Sequence, residues 1–395
     1  MKKRGLVVYA LATFVAAAFA ATAGAGSTTA KQAQALNCKS KLRIAFMTPL
    51  TGDAGFLGTE QLSWAKYAVK TLAPKYGLKI QLLAGDTQLS ADLASSLAQK
   101  YIADPKVAAI LGPSTSGAVA ATSSAFAQAG LIHVSPSATR TSLTKGGSRE
   151  ATNFFFRVVP DDGIQGPADA LYMVNNLKVK KVVVVNSQEP YSVGLADAVA
   201  TVLKAKGVTV QRESVNINTT DFSPIVTKVS NDTDVVFFGT QQPPKAQTFA
   251  QQLLEQGKKA KLFGGDGSNA PDKFNVPGSF VSNFAAPIDL FPYNKSIIAG
   301  WKADNPGATL GSFGPPTYGA VQVILNSIKR ACDAGHGTIK ERKDILKQVK
   351  RINVKQWILG GNFRFSTKTN DPLNGQFYIF QIQSDGSYKL VAPKV

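Results

Sequence analysis

From Leu42 onward the chain alternates short apolar runs with longer stretches of helical periodicity. Leu42–Met47 and Lys79–Leu83 predict strands, and Thr59–Leu72 and Ser90–Ala103 predict helices. Two further strand-and-helix units follow, and their strands, Val107–Leu111 and Leu131–Val134, are apolar throughout. A strand without a polar face is covered on both sides, which implies a parallel sheet between layers of helices. A second series predicts strands over 181–185, 208–212, 234–238 and 261–263, with helices over 192–205, 222–229 and 244–256. After a short apolar run at 281–284, helices are expected over 294–303 and 317–334, the second with Val321, Ile324, Leu325 and Ile328 at helical spacing. The last strand, 376–382, ends at a Ser384-Asp385-Gly386 turn and can join the edge of the second sheet, which requires the chain to cross between lobes three times. The expected class is therefore α/β, with two Rossmann-like lobes, each a mostly parallel sheet flanked by helices, joined by a three-strand hinge.

Two of the apolar strands run into loops crowded with hydroxyls. Val107–Leu111 leads into Gly112-Pro113-Ser114-Thr115-Ser116-Gly117, and Leu131–Val134 into Ser135-Pro136-Ser137-Ala138-Thr139-Arg140-Thr141-Ser142. Sheets of this kind bind ligands at the carboxyl ends of their strands. A helix start after each loop would add free N–H groups and a favourable dipole end, the chemistry that holds a carboxylate or another small anion.

Charge and the chain ends refine this picture. Lys2-Lys3-Arg4, an apolar run from Gly5 to Ala20 and the small residues after it read as a secretory signal peptide over 1–25, followed by a flexible lead-in over 26–37. The apolar run is shorter than the roughly 20 residues that span a bilayer. Removing the leader's three basic residues lowers the formal charge from +19 to +16, still strongly basic. The lysines fall in scattered groups, Lys178–Lys181, Gln256–Lys259 and Lys340–Lys343, that read as solvated faces. Export also separates the chain from cytoplasmic nucleic acid, so no nucleic-acid partner is expected. Cys38 and Cys332 are the only cysteines. An even count in an exported chain favours a disulfide over two unrelated buried thiols. Cys38 follows Asn37, which does not suit a lipid-anchor site.

Catalytic constellations are poorly served. Gly112-Pro-Ser-Thr-Ser116 approaches a nucleophile elbow around Ser114, but its fifth residue is serine, and His133 and His336 are the only histidines. His133 lies in an apolar strand, as a core histidine does, and His336 sits at a helix end. Two histidines and two cysteines, widely separated, make no metal cluster. No phosphate loop or dinucleotide fingerprint is present, and no cofactor is expected.

The order and spacing of several motifs resemble the type I periplasmic binding proteins, specifically the leucine/isoleucine/valine-type substrate-binding proteins of ABC transporters. These motifs are Ile44-Ala-Phe-Met-Thr-Pro-Leu-Thr-Gly52 with Gly58, Gly85-Asp86-Thr87, Leu111–Gly117, Ser135–Thr139, Phe156–Pro160 with Gln165-Gly-Pro167, Tyr191 with Gly194-Leu195, and Gly264–Gly267. The resemblance covers nearly the whole mature chain. It implies that Ser116 contacts a ligand carboxylate. It also implies that Ser137, Ala138 and Thr139 supply a main-chain carbonyl to the ligand ammonium and a hydroxyl and N–H to its carboxylate. Tyr191 then closes over the ligand and Asp266 receives the ammonium. Two departures alter the side-chain pocket. Gln241 stands where branched-chain binders often carry a tyrosine, and Phe56-Leu57 stand where the first loop often offers an aromatic. Phe313 is a further candidate lining residue.

The resemblance implies a monomeric, extracytoplasmic binder of an amino-acid-like ligand that closes on it and delivers it to an ABC membrane permease. The lobes are expected at 38–158 with 286–362 and at 159–285 with 363–395. The alternatives are a ligand-sensing domain acting through a separate receptor and a serine hydrolase using Ser114. The ligand's identity, as an amino acid, an amide or an organic acid, stays open.

Overall fold

The computed structural model describes residues 35–393, so the expected leader lies outside the described residues, as does the lead-in up to residue 34. The lead-in's end is not loose: β1 (Leu36–Asn37) pairs antiparallel with Thr338–Ile339. The first sheet is built from β2 (Lys41–Thr48), β3 (Lys79–Asp86), β4 (Val107–Leu111), β5 (His133–Ser135) and β6 (Phe155–Arg157). Its helices are α1 (Gly55–Leu72), α2 (Ala91–Ala103) and α3 (Ser116–Gln128). All neighbours are parallel and the order is β3-β2-β4-β5-β6. In β2, Leu42, Ile44 and Phe46 face one core and Ala45 and Met47 another, so both sheet faces are buried.

Helix α1 begins at Gly55, four residues before the expected start. This early turn is feasible because Gly58 has no side chain: a Cβ there would lie 1.7 Å from the Pro49 carbonyl oxygen. The second hydroxyl-rich loop is not followed by a helix. It passes into a single 3-10 turn, Thr141–Leu143, so only the first loop, entering α3, has a helix start behind it.

The chain leaves the first sheet at Arg157 and enters α4 (Asp162–Asn175). The second sheet follows as β7 (Lys181–Asn186), α5 (Pro190–Ala205), β8 (Thr209–Ser214), α6 (Ser223–Lys228), β9 (Val235–Gly239), α7 (Pro243–Glu255), β10 (Lys261–Gly264) and β11 (Phe280–Asn283). Val182 and Val184 pack toward α4 and α5, and Val183 and Val185 toward α6 and α7, so β7 is again buried on both faces.

The chain then returns to the first sheet. Helices α8 (Lys295–Asp304) and α9 (Gly314–Ala334) are followed by β12 (Thr338–Ile339), α10 (Asp344–Val349), β13 (Asn353–Val354) and β14 (Phe363–Arg364). Phe363 and Phe365 belong to the first sheet's core, and Asp371 pairs with Arg157. The last crossing therefore lies after Asp371, later than the boundary expected at residue 362. Finally β15 (Tyr378–Ile382) and β16 (Tyr388–Ala392), a strand beyond the expected turn, add antiparallel to give the order β16-β15-β11-β10-β9-β7-β8. Cys38 and Cys332 form a disulfide that ties the start of the first sheet to the end of α9.

Both sheets reverse strand order beside their first strand, at β2/β4 and at β7/β9. Such switch points open a crevice at the carboxyl ends of the strands. The loops there are 49–54 and 112–115 in the first sheet and 187–189 and 240–242 in the second.

Candidate functional site

The first sheet's loops are locked by one amide. Gln61 of α1 accepts hydrogen bonds from the Thr48 hydroxyl at 2.9 Å and the Ser114 hydroxyl at 2.6 Å, and its amide nitrogen donates to the Ser137 hydroxyl at 2.9 Å. Ser137 in turn donates to the Ser114 carbonyl at 2.7 Å. The four side chains are buried. The hydroxyls of Ser114 and Ser137 thus belong to the framework. Ser114 is bonded to an amide and not to a base. His133 lies elsewhere, its Nε2 2.8 Å from the Ser123 hydroxyl between the rings of Phe126 and Phe155, and burial pushes its pKa down to about 3.

What this framework presents is the start of α3 and the segment Ser137–Thr139. No side chain caps α3, and Ser116, its first residue, accepts the Arg140 N–H at 3.2 Å through its hydroxyl. Thr139 is fully buried and its hydroxyl has no hydrogen-bond partner among the described residues. The Ala138 carbonyl accepts from the Arg157 guanidinium at 3.1 Å, and the Thr139 carbonyl from the Asp162 N–H at 2.8 Å. Of the three residues, Ser137 therefore has the carbonyl that is not taken by either group, and Ala138 serves as a fixed point.

The second sheet supplies acid. The Tyr191 hydroxyl, at the start of α5, donates to Asp266 Oδ1 at 2.7 Å and accepts the Gly267 N–H at 3.0 Å. Burial pushes the Asp266 carboxyl up to about 6, against the Tyr191 hydroxyl, which acts in the opposite direction. Gln241 packs beside this loop: a Cβ on Gly267 would meet its Cα and Cγ at 3.1 Å. Its amide nitrogen is buried without a partner among the described residues.

The sequence reading assigned no element to α4, whose Gly163, Gly166 and Pro167 are poor helix formers. Asp162, Gln165 and Asp169 lie one and two turns apart on it and are all buried, a polar stripe at helical spacing that could have revealed the helix. Asp169 accepts from the Ser282 hydroxyl at 3.0 Å, and Ser282 accepts from the Gln165 amide at 2.9 Å. Both carboxylate oxygens of Asp162 lack a partner among the described residues. Burial first, and then the charge of Asp266, raises the Asp162 pKa; burial likewise dominates the rise at Asp169. No ion pair reaches Asp162, Asp169 or Asp266 among the described residues, and Arg157 is held by Asp371 at 2.7 Å.

The two walls meet. A Cβ on Gly117, next to Ser116, would lie 3.4 Å from Pro190, the neighbour of Tyr191. The Gln242 amide reaches Asp53 at 3.3 Å, and the Ser312 hydroxyl reaches Asn269 at 2.6 Å. The apolar candidates are gathered toward the crossing segments: Phe56 and Phe284 each meet Phe313 edge to face, at 5.7 and 5.5 Å, and Leu57 packs in the same cluster with Val159 and Phe377. Ile164 of α4 joins that cluster, so it lies one helical turn from the polar groups.

Two sheets whose switch-point loops meet, with helix-end donors on one wall and buried acid on the other, define a two-lobed binding site. Residues 41–387 match the periplasmic binding protein family, and the chain belongs to it. Among curated relatives, a Leu/Ile/Val-binding protein homolog of Brucella melitensis is 30% identical over 80% of this chain and 83% of its own length. The Leu/Ile/Val-binding protein BraC3 of Rhizobium johnstonii is 29% identical over 79% and 86%. Among solved structures, the leucine-binding protein LivK of Thermotoga maritima superposes with a TM-score of 0.79 at 22% identity, covering 89% of this chain and 98% of its own. A solute-binding protein of R. palustris in complex with benzoate superposes at 0.76 and 18% identity, covering 89% and 96%. The fold is thus shared by proteins of different ligands.

Proposed function

We propose that the chain is an exported solute-binding protein that captures a zwitterionic amino acid between its lobes and delivers it to an ABC importer's membrane permease. The observation that carries the reading is the unneutralised acid of the second wall: Asp162, Asp169 and Asp266 are buried with no ion-paired cation among the described residues. A buried carboxylate requires a cationic partner or its proton. A ligand ammonium supplies that partner, held by Asp266 and Asp162 and by the Ser137 carbonyl. Its carboxylate then lies on the N–H groups of α3 at Ser116 and on Thr139, where the helix dipole favours an anion. Tyr191 orients Asp266 through their 2.7 Å hydrogen bond and closes the cleft beside Pro190.

Mechanistically, ligand settles first on the Ser116 and Ser137–Thr139 loops, and the second lobe closes because only the closed form brings Asp266 and Asp162 to the ammonium. The names of the Brucella and Rhizobium relatives support an aliphatic amino acid, and the leader pattern supports export. Gln241 and the Phe56, Leu57 and Phe313 cluster set the side-chain preference. Benzoate, an acid without an amine, would leave the acidic wall unneutralised.

Titration calorimetry across amino acids and their deaminated analogues tests the proposal. Binding of an amino acid, lost with the analogue and lost on Asp266→Asn with the fold intact by circular dichroism, is the expected result. Equal binding of the deaminated acid would overturn it.

A further inference from the structure

Two of the lysine groups that look scattered in the sequence, Lys178–Lys181 and Gln256–Lys259, converge in space with Lys204 and Lys206. Strands β8, β7, β9 and β10 are adjacent and parallel, so the segments that enter them lie along one edge of the sheet. Those segments carry Lys204 and Lys206 before β8, Lys178 and Lys180 before β7, and Lys259 and Lys261 at β10, all exposed. With strands ~4.8 Å apart, the row is about 15 Å wide. Of the acids beside it, Asp232 pairs with Lys181 at 2.9 Å and Asp234 accepts the backbone N–H groups of Lys180 and Lys181 at 2.6 and 3.0 Å; Glu255, exposed at the end of α7, is outnumbered by the six lysines. Among the described residues none of the six lysines has an ion-pair partner.

We propose that this edge is a docking surface for an anionic phospholipid bilayer. The row is made of lysines without arginines, point charges that lack the planar fork used to read bases. No aromatic residue occurs in segments 176–180, 204–208, 230–234 or 256–261 to stack on a nucleobase. Leu254, 54% exposed near the end of α7, stands beside the Lys258–Lys261 segment. Basic side chains around an exposed apolar one are the composition of an interfacial membrane contact. The corresponding edge of the first sheet also carries exposed lysines, Lys39, Lys41, Lys75, Lys79 and Lys106, but among the described residues it has no exposed leucine beside them. The edge is opposite the cleft, separated from it by the length of the strands, about 20 Å for a six-residue strand. Docking there leaves the cleft open to solute and holds the protein at the surface where a permease lies.

The test is co-sedimentation of the processed protein, secreted by an exporting host, with vesicles of phosphatidylglycerol and phosphatidylcholine and with vesicles of phosphatidylcholine alone. Binding to the anionic vesicles only, weakened at least about tenfold by raising salt from roughly 20 to 200 mM, is expected. The triple variant Lys180→Glu, Lys206→Glu, Lys259→Glu loses at least about tenfold. The equal-charge control Lys41→Glu, Lys75→Glu, Lys79→Glu loses less than about threefold. Amino-acid binding by calorimetry is unchanged in both, which separates this surface from the cleft. Equal losses in the two variants, absence of anionic-vesicle binding, binding indifferent to salt and substitution, or retention on RNA in preference to vesicles would each overturn the proposal.

Discussion

Raising the pH from 5 to 7.5 is expected to tighten amino-acid binding about tenfold, or ~1.4 kcal/mol. In the ligand-free protein burial holds the Asp266 carboxyl at about 6, above its ordinary 3.8. At pH 5 only about a tenth of it is ionised, and at pH 7.5 nearly all, so the charge that an ammonium needs appears across this interval. A bound ammonium favours the carboxylate, and binding at pH 5 therefore expels close to one proton. The same shift acts on folding with the opposite sign. A carboxyl whose folded pKa is raised contributes stability that is present below pH 3.8 and is lost as pH rises through about 6. Melting temperature without ligand should thus fall over the interval in which affinity rises. Calorimetry in two buffers of different ionisation enthalpy counts the protons directly. Asp266→Asn should flatten the profile and cost roughly 2–5 kcal/mol of binding at pH 7.5. Asp162 lies in the field of Asp266 and is raised too, so the wild-type profile belongs to the pair, and Asp162→Asn should make it shallower. Affinity independent of pH, proton uptake on binding, or an unchanged profile in Asp266→Asn would refute the reasoning.

Other consequences can be measured independently. Gln61→Leu leaves the hydroxyls of Thr48 and Ser114 without their acceptor and removes a donor to Ser137; a loss of roughly 2–4 kcal/mol in urea unfolding is expected, with weakened ligand binding that Gln61→Glu partly restores. Cys332→Ser opens a loop of 294 residues in sequence separation; the expected loss is about 2–5 kcal/mol by denaturant titration. Glu60, which accepts the N–H of Gly314 at 2.6 Å at the start of α9, is raised by burial from 4.5 to about 7. Its stabilising contribution is present below pH 4.5 and is lost as pH rises through 7, so ligand-free melting temperature should fall across that window and fall less in Glu60→Gln.

The sheets were legible because their strands are apolar on both faces, as Val182–Val185 and Val107–Leu111 are, and that pattern has few structural readings. Helix α4 was not, since Gly163, Gly166 and Pro167 lie within it and local propensity points away from a helix. Its burial against α5 decides the matter: a Cβ on Gly166 would meet Ala198 at 2.5 Å, so the glycine marks helix packing and not a turn. The absence of a helix after Thr139 has a related cause. Arg157 holds the carbonyls of Ala138 and Arg140 at 3.1 and 2.9 Å and keeps the chain extended where hydroxyl-rich sequence suggested a helix start. Gln61 joins Ser114 and Ser137, 53 and 76 positions away, and Asp162 lies in the field of Asp266, more than 100 positions on, relations that spacing along the chain does not record.

The contacts that join the lobes explain why closure can respond to ligand. Gln242 to Asp53 at 3.3 Å, Lys245 to Asp53 at 3.9 Å and Ser312 to Asn269 at 2.6 Å are few, and Asp53 is half exposed. They are isolated, part-buried polar contacts, and a typical hydrogen bond contributes about 0.5–1.5 kcal/mol net. Against them stands the cost of holding the carboxyls of Asp162 and Asp266 in a dry cleft, where burial raises both pKa values and the charge of Asp266 raises that of Asp162 further. A ligand can shift the lobes only by its differential affinity for the closed form. In the proposed binding mode an ammonium that removes the acid-wall penalty, together with a carboxylate on α3, acts only when both walls are present, and so it supplies that difference at the point where the unliganded protein is least favourable.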